Sequence, residues 1–222
     1  MKDSGIFKTG DGSHSILSEK FGVTYHSKHG AIQETQHVFI KHGLKSKLET
    51  SDSISILEIG FGTGLNALMT LLEIENHSVH INYHTYEAFP ISIETARQLN
   101  YSNLLGTGSD LFLKMHEIDF EKEHHISKNF SFTKYKKSFE TIHFKNQFDI
   151  IYFDAYGPGQ QPELWGKPLL QKMYAALKND GILTTYCAQG AFKRNLKAVG
   201  FNVQAVPGPP GKREMTIGQK KL

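Results

Sequence analysis

The sequence predicts an α/β fold: a mostly parallel sheet with one antiparallel strand in a C-terminal hairpin, preceded by a small N-terminal extension. Three observations predict it. Short β-branched runs alternate with helically spaced apolar residues from Ser53 onward. The first of these runs enters a glycine-rich turn directly ahead of a helical stretch. The last two are joined by Pro207-Gly208-Pro209-Pro210-Gly211, a turn-rich connection. The 222 residues are 39% hydrophobic and 21% charged, an ordinary globular composition for one domain with a small attachment. No apolar run reaches the ~18 residues of a membrane span. The polar start, Met1 to Gly5, shows no secretory signal. One cysteine, Cys187, excludes an internal disulfide and a cysteine-clustered zinc site. The expected compartment is the reducing cytoplasm.

Residues 1–50 hold scattered Gly, His and Ser with one apolar cluster, Val38-Phe39-Ile40, and read as an irregular N-terminal extension. Residues 51–222 form the main domain. Ile54–Ile59 is a buried strand. Leu65, Leu68, Met69 and Leu72 follow at helical spacing. Val79, Ile81, Tyr83 and Thr85 alternate as a second strand. Ser92 is placed to cap a helix running to about Leu99. A short helix at Ser109–His116 and a strand at Phe130–Tyr135 are expected in the polar stretch that follows. Phe148–Phe153 is another buried strand. Pro168 suits a helix N-terminus, Leu169 to Leu177 supply its apolar stripe, and Gly181 is expected just past its end. Ile182–Tyr186 is a strand, Ala191–Val199 a helix closed by Gly200, and Phe201–Val206 with Met215–Ile217 the hairpin. In such sheets ligands bind beyond the carboxyl ends of the strands.

The first strand ends in Glu58-Ile59-Gly60-Phe61-Gly62-Thr63-Gly64. The G-x-G-x-G spacing differs from the dinucleotide G-x-G-x-x-G, and no Gly-Lys-Ser/Thr follows to make a phosphate loop. An acid at Glu58 repels a pyrophosphate and suits a cationic ligand. Acid-x-G-x-G-x-G is the usual first motif of S-adenosyl-L-methionine (SAM) methyltransferases. Glu87 stands 23 residues beyond Gly64, after the second strand. It reads either as an exposed strand-end carboxylate or as an acceptor for ribose hydroxyls. Asp154 ends the Phe148 strand on the same rim as Gly60. It reads as a loop cap, or as the group that holds and deprotonates an amine. The twelve histidines show no ligand spacing, so no metal is expected. Cys187–Leu222 carries seven basic residues against one acid. This net +6 is either a solvated surface or a phosphate-contacting face built on Lys193, Arg194, Lys212 and Arg213.

Five stretches then carry a family resemblance: Tyr25–Phe39, Glu58–Asn66, Tyr86–Pro90, Phe153–Trp165 and Gly211–Met215. In them the chain resembles the tRNA 5-methylaminomethyl-2-thiouridine methyltransferases, which occur as the methyltransferase half of bifunctional MnmC enzymes and as the stand-alone form MnmD. The resemblance implies a class I SAM-dependent methyltransferase (Rossmann-like) fold. It implies transfer of a SAM methyl to the primary amine of 5-aminomethyl-(2-thio)uridine at the tRNA wobble position. By motif, Glu58, Gly60, Gly62, Gly64 and Asn66 line the methionine end of SAM and Glu87 binds its ribose. Asp154 sits beside the amine, and Tyr156 and Pro158 shape that pocket. Gln33 and Glu34, in the 1–50 extension, close over the site. Lys212 and Arg213 contact tRNA phosphate or serve the hairpin structurally. No flavin-dependent oxidase half has a counterpart in residues 1–222, so the amine is expected from another source. The family's acid near the adenine has no match at Tyr135-Lys136-Lys137-Ser138, and the residue reading the adenine is unassigned. The expected partner is tRNA, with no membrane, metal or obligate protein partner.

Other readings stay open on sequence alone. SAM could serve another acceptor, such as a protein, a small amine or another RNA, or aminopropyl transfer to a polyamine. The chain could bind a nucleotide without catalysis. An NAD-dependent oxidoreductase is disfavoured by the loop spacing and by Glu58.

Overall fold

The computed structural model describes residues 5–221. Its centre is an eight-stranded sheet. After a small antiparallel pair, β1 (Ile6–Lys8) and β2 (His14–Ile16), come β3 (Ser53–Ile59), β4 (His80–Tyr86), β5 (Glu123–Ser127), β6 (Phe130–Tyr135), β7 (Phe148–Phe153), β8 (Leu177–Thr185), β9 (Asn202–Pro207) and β10 (Glu214–Gln219). The spatial order of the large sheet is β5-β6-β4-β3-β7-β8-β10-β9. Strands β6, β4, β3, β7 and β8 are mutually parallel. As expected, β10 runs antiparallel and forms the closing hairpin with β9. A second antiparallel strand, β5, lies on the opposite edge. Its Glu-His-His sequence has no apolar alternation, because an edge strand of this kind buries little.

Strand β3 shows how the sequence builds two layers. Successive side chains point to opposite faces. Ile54 and Ile56 join the core shared with Leu65, Leu68 and Leu71 of α3 (Leu65–Glu73). Leu57 and Ile59 join the core shared with Leu169, Leu170 and Met173 of α7 (Lys167–Ala176) and with Phe192 and Leu196 of α8 (Gly190–Val199). The break from β-strand to helix at the sheet's centre, between β3 and α3, therefore falls on the carboxyl rim.

The segment read as irregular contains a helix. Ala31–Thr35 (α1) continues as a π-helix over Gln36–Leu44 and ends as α2 (Lys45–Leu48). Val38, Phe39 and Ile40 are all buried, and the Phe39 ring lies 5.1 Å from that of Tyr152 in β7. The buried positions Ala31, Glu34, Thr35, Val38, Phe39, Gly43 and Leu44 recur at helical spacing, but two polar side chains and a glycine hold three of them, so the apolar pattern alone did not reveal the helix. Between β4 and β5 lie α4 (Ile93–Gln98), α5 (Tyr101–Leu104) and α6 (Ser109–Glu117). The Ser92 hydroxyl accepts the Thr95 N–H at 3.1 Å, as a cap should. Gly181 does not close α7. The chain turns from Ala176 straight into β8, pairs Leu177 with Phe148, and shifts register, with Asp180 at φ 60° absorbing the irregularity.

Phe39→Ala is expected to lower stability by roughly 3–5 kcal/mol, the usual cost of emptying a buried phenylalanine site. Urea unfolding monitored by circular dichroism reads this, and a loss below about 1 kcal/mol would show that the helix is not part of the core.

Candidate active site

A cleft of about 580 Å³ opens over the carboxyl ends of β3, β4 and β7. That size suits a cofactor with part of an acceptor. The glycine turn forms its floor. Gly60 has φ 95°, and a Cβ there would lie 2.6 Å from the Asp154 carbonyl oxygen, so only glycine lets the two rim segments meet. The Gly60 N–H donates to Tyr86 O at 3.0 Å, and the Asp154 N–H donates to Ile59 O at 3.0 Å. These bonds hold the three strand ends together.

Asn66, in the first turn of α3, organises the acidic groups. Its Nδ2 donates to Asp154 Oδ2 at 2.8 Å and to Glu58 Oε1 at 3.1 Å. Its Oδ1 accepts the Thr35 hydroxyl of α1 at 2.9 Å. Glu58 Oε2 accepts the Thr85 hydroxyl at 2.7 Å, from the residue that pairs with it across β4. Glu58 is fully buried, and burial, reinforced by the Asp154 charge, pushes its carboxyl up to about 8. Asp154 meets solvent only through the cleft. Burial and then the Glu34 carboxylate push it up to about 7.

Glu87 accepts the Gly62 N–H at 3.0 Å and the Phe89 N–H at 2.8 Å. A carboxylate has about four acceptor positions, so further donors from the cleft can be met. Beyond it the wall consists of Ala88, Phe89, Pro90, Lys136 and Phe139. On the opposite side the chain after Asp154 is fixed by two donors. The Tyr186 hydroxyl bonds Ala155 O at 2.8 Å, and Trp165 Nε1 bonds Tyr156 O at 2.8 Å. Thr63 is held by His26 Nε2 at 2.7 Å on its hydroxyl and by His116 Nε2 at 3.2 Å on its carbonyl. Burial drives His26 down to about 4 and His116 down to about 3, so both rings are neutral at physiological pH.

Of the residues singled out in the sequence, Gly60, Gly62, Asn66, Glu87, Asp154, Tyr156 and Lys212 line the cleft together. Glu58 does not: it lies behind the loop and reaches the cleft only through Asn66. Gly64 is packed against His116 and Phe61. Pro158 and Arg213 line an adjoining groove instead. Lys193 pairs with Glu214 at 2.5 Å, and Arg194 is exposed on α8. Glu34 lines the cleft, whereas Gln33 is exposed outside it. Tyr25, His26, Phe21 and Tyr186 are cleft residues that motif reading missed. Among the described residues no group of three or more His, Cys, Asp or Glu side chains is arranged to hold a metal ion. Among the same residues no helix is long and apolar enough to cross a membrane.

Residues 98–221 match a family model described as S-adenosyl-L-methionine-dependent methyltransferase. A relative from Leptospira interrogans, named tRNA 5-methylaminomethyl-2-thiouridine biosynthesis bifunctional protein MnmC, is 30% identical over 219 residues, covering 91% of this chain and 33% of its own. One of the same name from Methylobacillus flagellatus is 29% identical over 217 residues, 92% of this chain and 34% of its own. The chain thus spans about a third of the length of these curated relatives. Among solved structures, MNMC2 from Aquifex aeolicus is 26% identical with a TM-score of 0.72, covering 98% of this chain and 71% of that one. A spermidine synthase from Thermotoga maritima, 18% identical with a TM-score of 0.55 over 94% of this chain and 68% of that one, shares the fold.

Burial of Glu58 has a consequence for stability. Its carboxyl is raised from 4.5 to about 8, so its contribution to stability is present below about pH 4.5 and is lost as pH rises toward 8. Glu58→Gln removes that loss. The melting temperature of the variant relative to wild type is expected to rise steadily from about pH 5 to about pH 9. A difference independent of pH would mean an ordinary, ionised carboxylate.

Proposed function

The chain belongs to the family of S-adenosyl-L-methionine-dependent methyltransferases, and from that premise we propose that it methylates the primary amine of 5-aminomethyl-(2-thio)uridine at the tRNA wobble position, in the cytoplasm. The observation that carries this reading is the Asp154 carboxylate, held by Asn66 in the cleft beside the glycine floor. The names of the relatives support the tRNA substrate.

The cleft fits the cofactor. Its volume is adequate, the glycine turn admits close approach, and Glu87 has acceptor positions for a ribose diol. Gly60, Gly62 and Asn66 would hold the methionine end, and Ala88, Phe89, Pro90, Lys136 and Phe139, on the wall beyond Glu87, would hold the adenine. When bound, the cofactor supplies an electrophilic methyl group.

This chain's own residues prepare the acceptor. An alkylamine resembling lysine is protonated at neutral pH, with a reference pKa of about 10.4, and has no lone pair to offer. Asp154 binds the ammonium, and its raised pKa makes it a stronger base than an ordinary carboxylate. It accepts one proton and frees the nitrogen lone pair while still holding the amine by a hydrogen bond. Asn66 fixes the carboxylate rotamer, and Glu58 and Thr35 fix Asn66. Tyr156 and Tyr25, whose ring centroids are 5.4 Å apart, line the acceptor side and limit water.

The test is methyl transfer from labelled SAM to tRNA carrying 5-aminomethyluridine, with fully methylated tRNA as control. Transfer only to the first is expected. Asp154→Asn should lower kcat by about 10²–10⁴-fold with SAM affinity by calorimetry unchanged, and the wild-type rate should climb as pH rises through about 7. Transfer to neither tRNA, with SAM bound, would move the acceptor elsewhere. Of the four basic residues considered for RNA contact, Lys193 and Lys212 are engaged by Glu214 and Glu34, and Arg194 and Arg213 are exposed. Alanine at both arginines should flatten the salt dependence of tRNA binding by about 1–2 units of log–log slope. An unchanged slope removes them from the interface.

A further inference from the structure

Three contacts join the N-terminal segment to the β9–β10 loop beside the acceptor end of the cleft. His37 Nε2 lies 2.8 Å from Pro207 O. Gly211, at φ 82°, lies so close to the His29 ring that a Cβ would fall 2.0 Å from His29 Cδ2. Between them the Lys212 ammonium pairs with Glu34 Oε1, while Glu34 Oε2 accepts the Ser27 N–H at 2.9 Å. Glu34 is only 7% exposed, although it is a carboxylate. Lys212 Nζ also stands 4.0 Å from the centre of the Tyr186 ring. Glu34, Lys212, Asp154 and Tyr186 all line the same cleft.

A surface ion pair would need no explanation. This one joins a buried carboxylate to a half-buried ammonium, beside a group that handles a proton. Glu19, Lys20, Glu87 and Lys136 line other parts of the cleft, while Asp154 interacts with the carboxylate of Glu34 and the ammonium of Lys212, and these three groups together carry a net charge of −1 when Asp154 is ionised. One alkylammonium brings it to zero, and proton transfer to Asp154 leaves every group either paired or neutral. We infer that the Glu34–Lys212 pair sets the charge of the acceptor pocket: it latches the N-terminal helix to the C-terminal hairpin and matches the pocket to a single primary ammonium. Lys212 is thereby a positioning residue for the amine and not a phosphate contact. The inference rests on the amine-acceptor reading above.

The titratable groups facing Asp154 are Glu34 from α1, Lys212 from the β9–β10 loop, Glu58 from β3, the Tyr83 hydroxyl from β4 and the Tyr186 hydroxyl just past β8, with Asn66 the neutral contact from α3. His26, also near the pair, is neutral at physiological pH. Glu34 raises the basicity of Asp154 and Lys212 lowers it. Removing each charge must therefore move Asp154 in opposite directions, an effect that no purely structural latch would produce.

The experiment is a titration of the substrate-free protein labelled with 13C at aspartate carboxyls, the Asp154 signal being identified by its loss in Asp154→Asn. Glu34→Gln should lower the Asp154 midpoint and Lys212→Met should raise it, each by about one pH unit. The double variant should return close to wild type, and Glu34→Asp and Lys212→Arg should leave the midpoint in place. Single variants that move it the same way, or not at all, overturn the inference. So does a double variant displaced by more than about half a unit, a comparison that stands even if one single variant fails to fold. Methyl transfer is read separately. Opposed midpoint shifts without transfer to the aminomethyl tRNA would keep the charge-setting pair and reject the acceptor.

Discussion

The Asn66 side-chain amide is the point on which the site depends. Its two N–H hydrogens are divided between Glu58 and Asp154, and its oxygen accepts from Thr35. Through that one group β3, β7, α1 and α3 are tied together, and Thr85 adds β4. Burying two carboxylates so close together is costly, because burial and mutual repulsion both penalise their charge. The fold meets that cost by letting both carboxyls rise in pKa and by supplying neutral donors, the Asn66 amide and the Thr85 hydroxyl. The result is an Asp154 that is fixed in place and basic enough to take a proton near neutrality. Anchoring and reactivity thus come from the same contacts.

The glycine turn is held with equal care from the outside. Thr63 is bonded on its hydroxyl by His26 and on its carbonyl by His116, and the Tyr101 hydroxyl reaches the same Thr63 hydroxyl at 3.3 Å. These neutral rings come from the N-terminal segment and from α6, elements that belong to neither β3 nor α3. Fixing the turn from several directions leaves its glycine backbone facing the cleft with little freedom to move. A binding floor ordered before the ligand arrives loses less entropy on binding.

The chemistry follows from placement. An electrophilic methyl donor acts on any free lone pair brought into line with it, so specificity lies in which acceptor is bound and deprotonated. On the reading proposed above, the acceptor side is acidic and aromatic and takes residues from the N-terminal segment and from the β9–β10 loop. An amine suits such a pocket better than a hydroxyl or an anionic group. The likeness to a spermidine synthase extends to fold alone, and the acids that line the cleft are Glu19, Glu34, Glu87 and Asp154.

Local rules determined much of this from the sequence. Apolar runs marked β3 and β7, which are buried on both faces, and alternation marked β4, whose buried side chains are every second one. The acid-flanked glycine turn marked the rim on which the cleft opens, because only glycine lets the ends of β3 and β7 approach so closely there. Asp154 was legible as the end of a buried strand on that rim. Tertiary structure alone decided the rest. The 31–48 helix hides its period because polar Glu34 and Thr35 occupy two of its buried positions, and β5 lacks one because it is an edge. Glu58 looks like a ligand-binding acid in sequence, yet β4 and α3 cover it and turn it toward Asn66. Lys212 looks like part of a basic tail, yet the hairpin folds it back onto Glu34, 178 positions earlier. A charge's partner is set by distance in space, and a sequence records only distance along the chain.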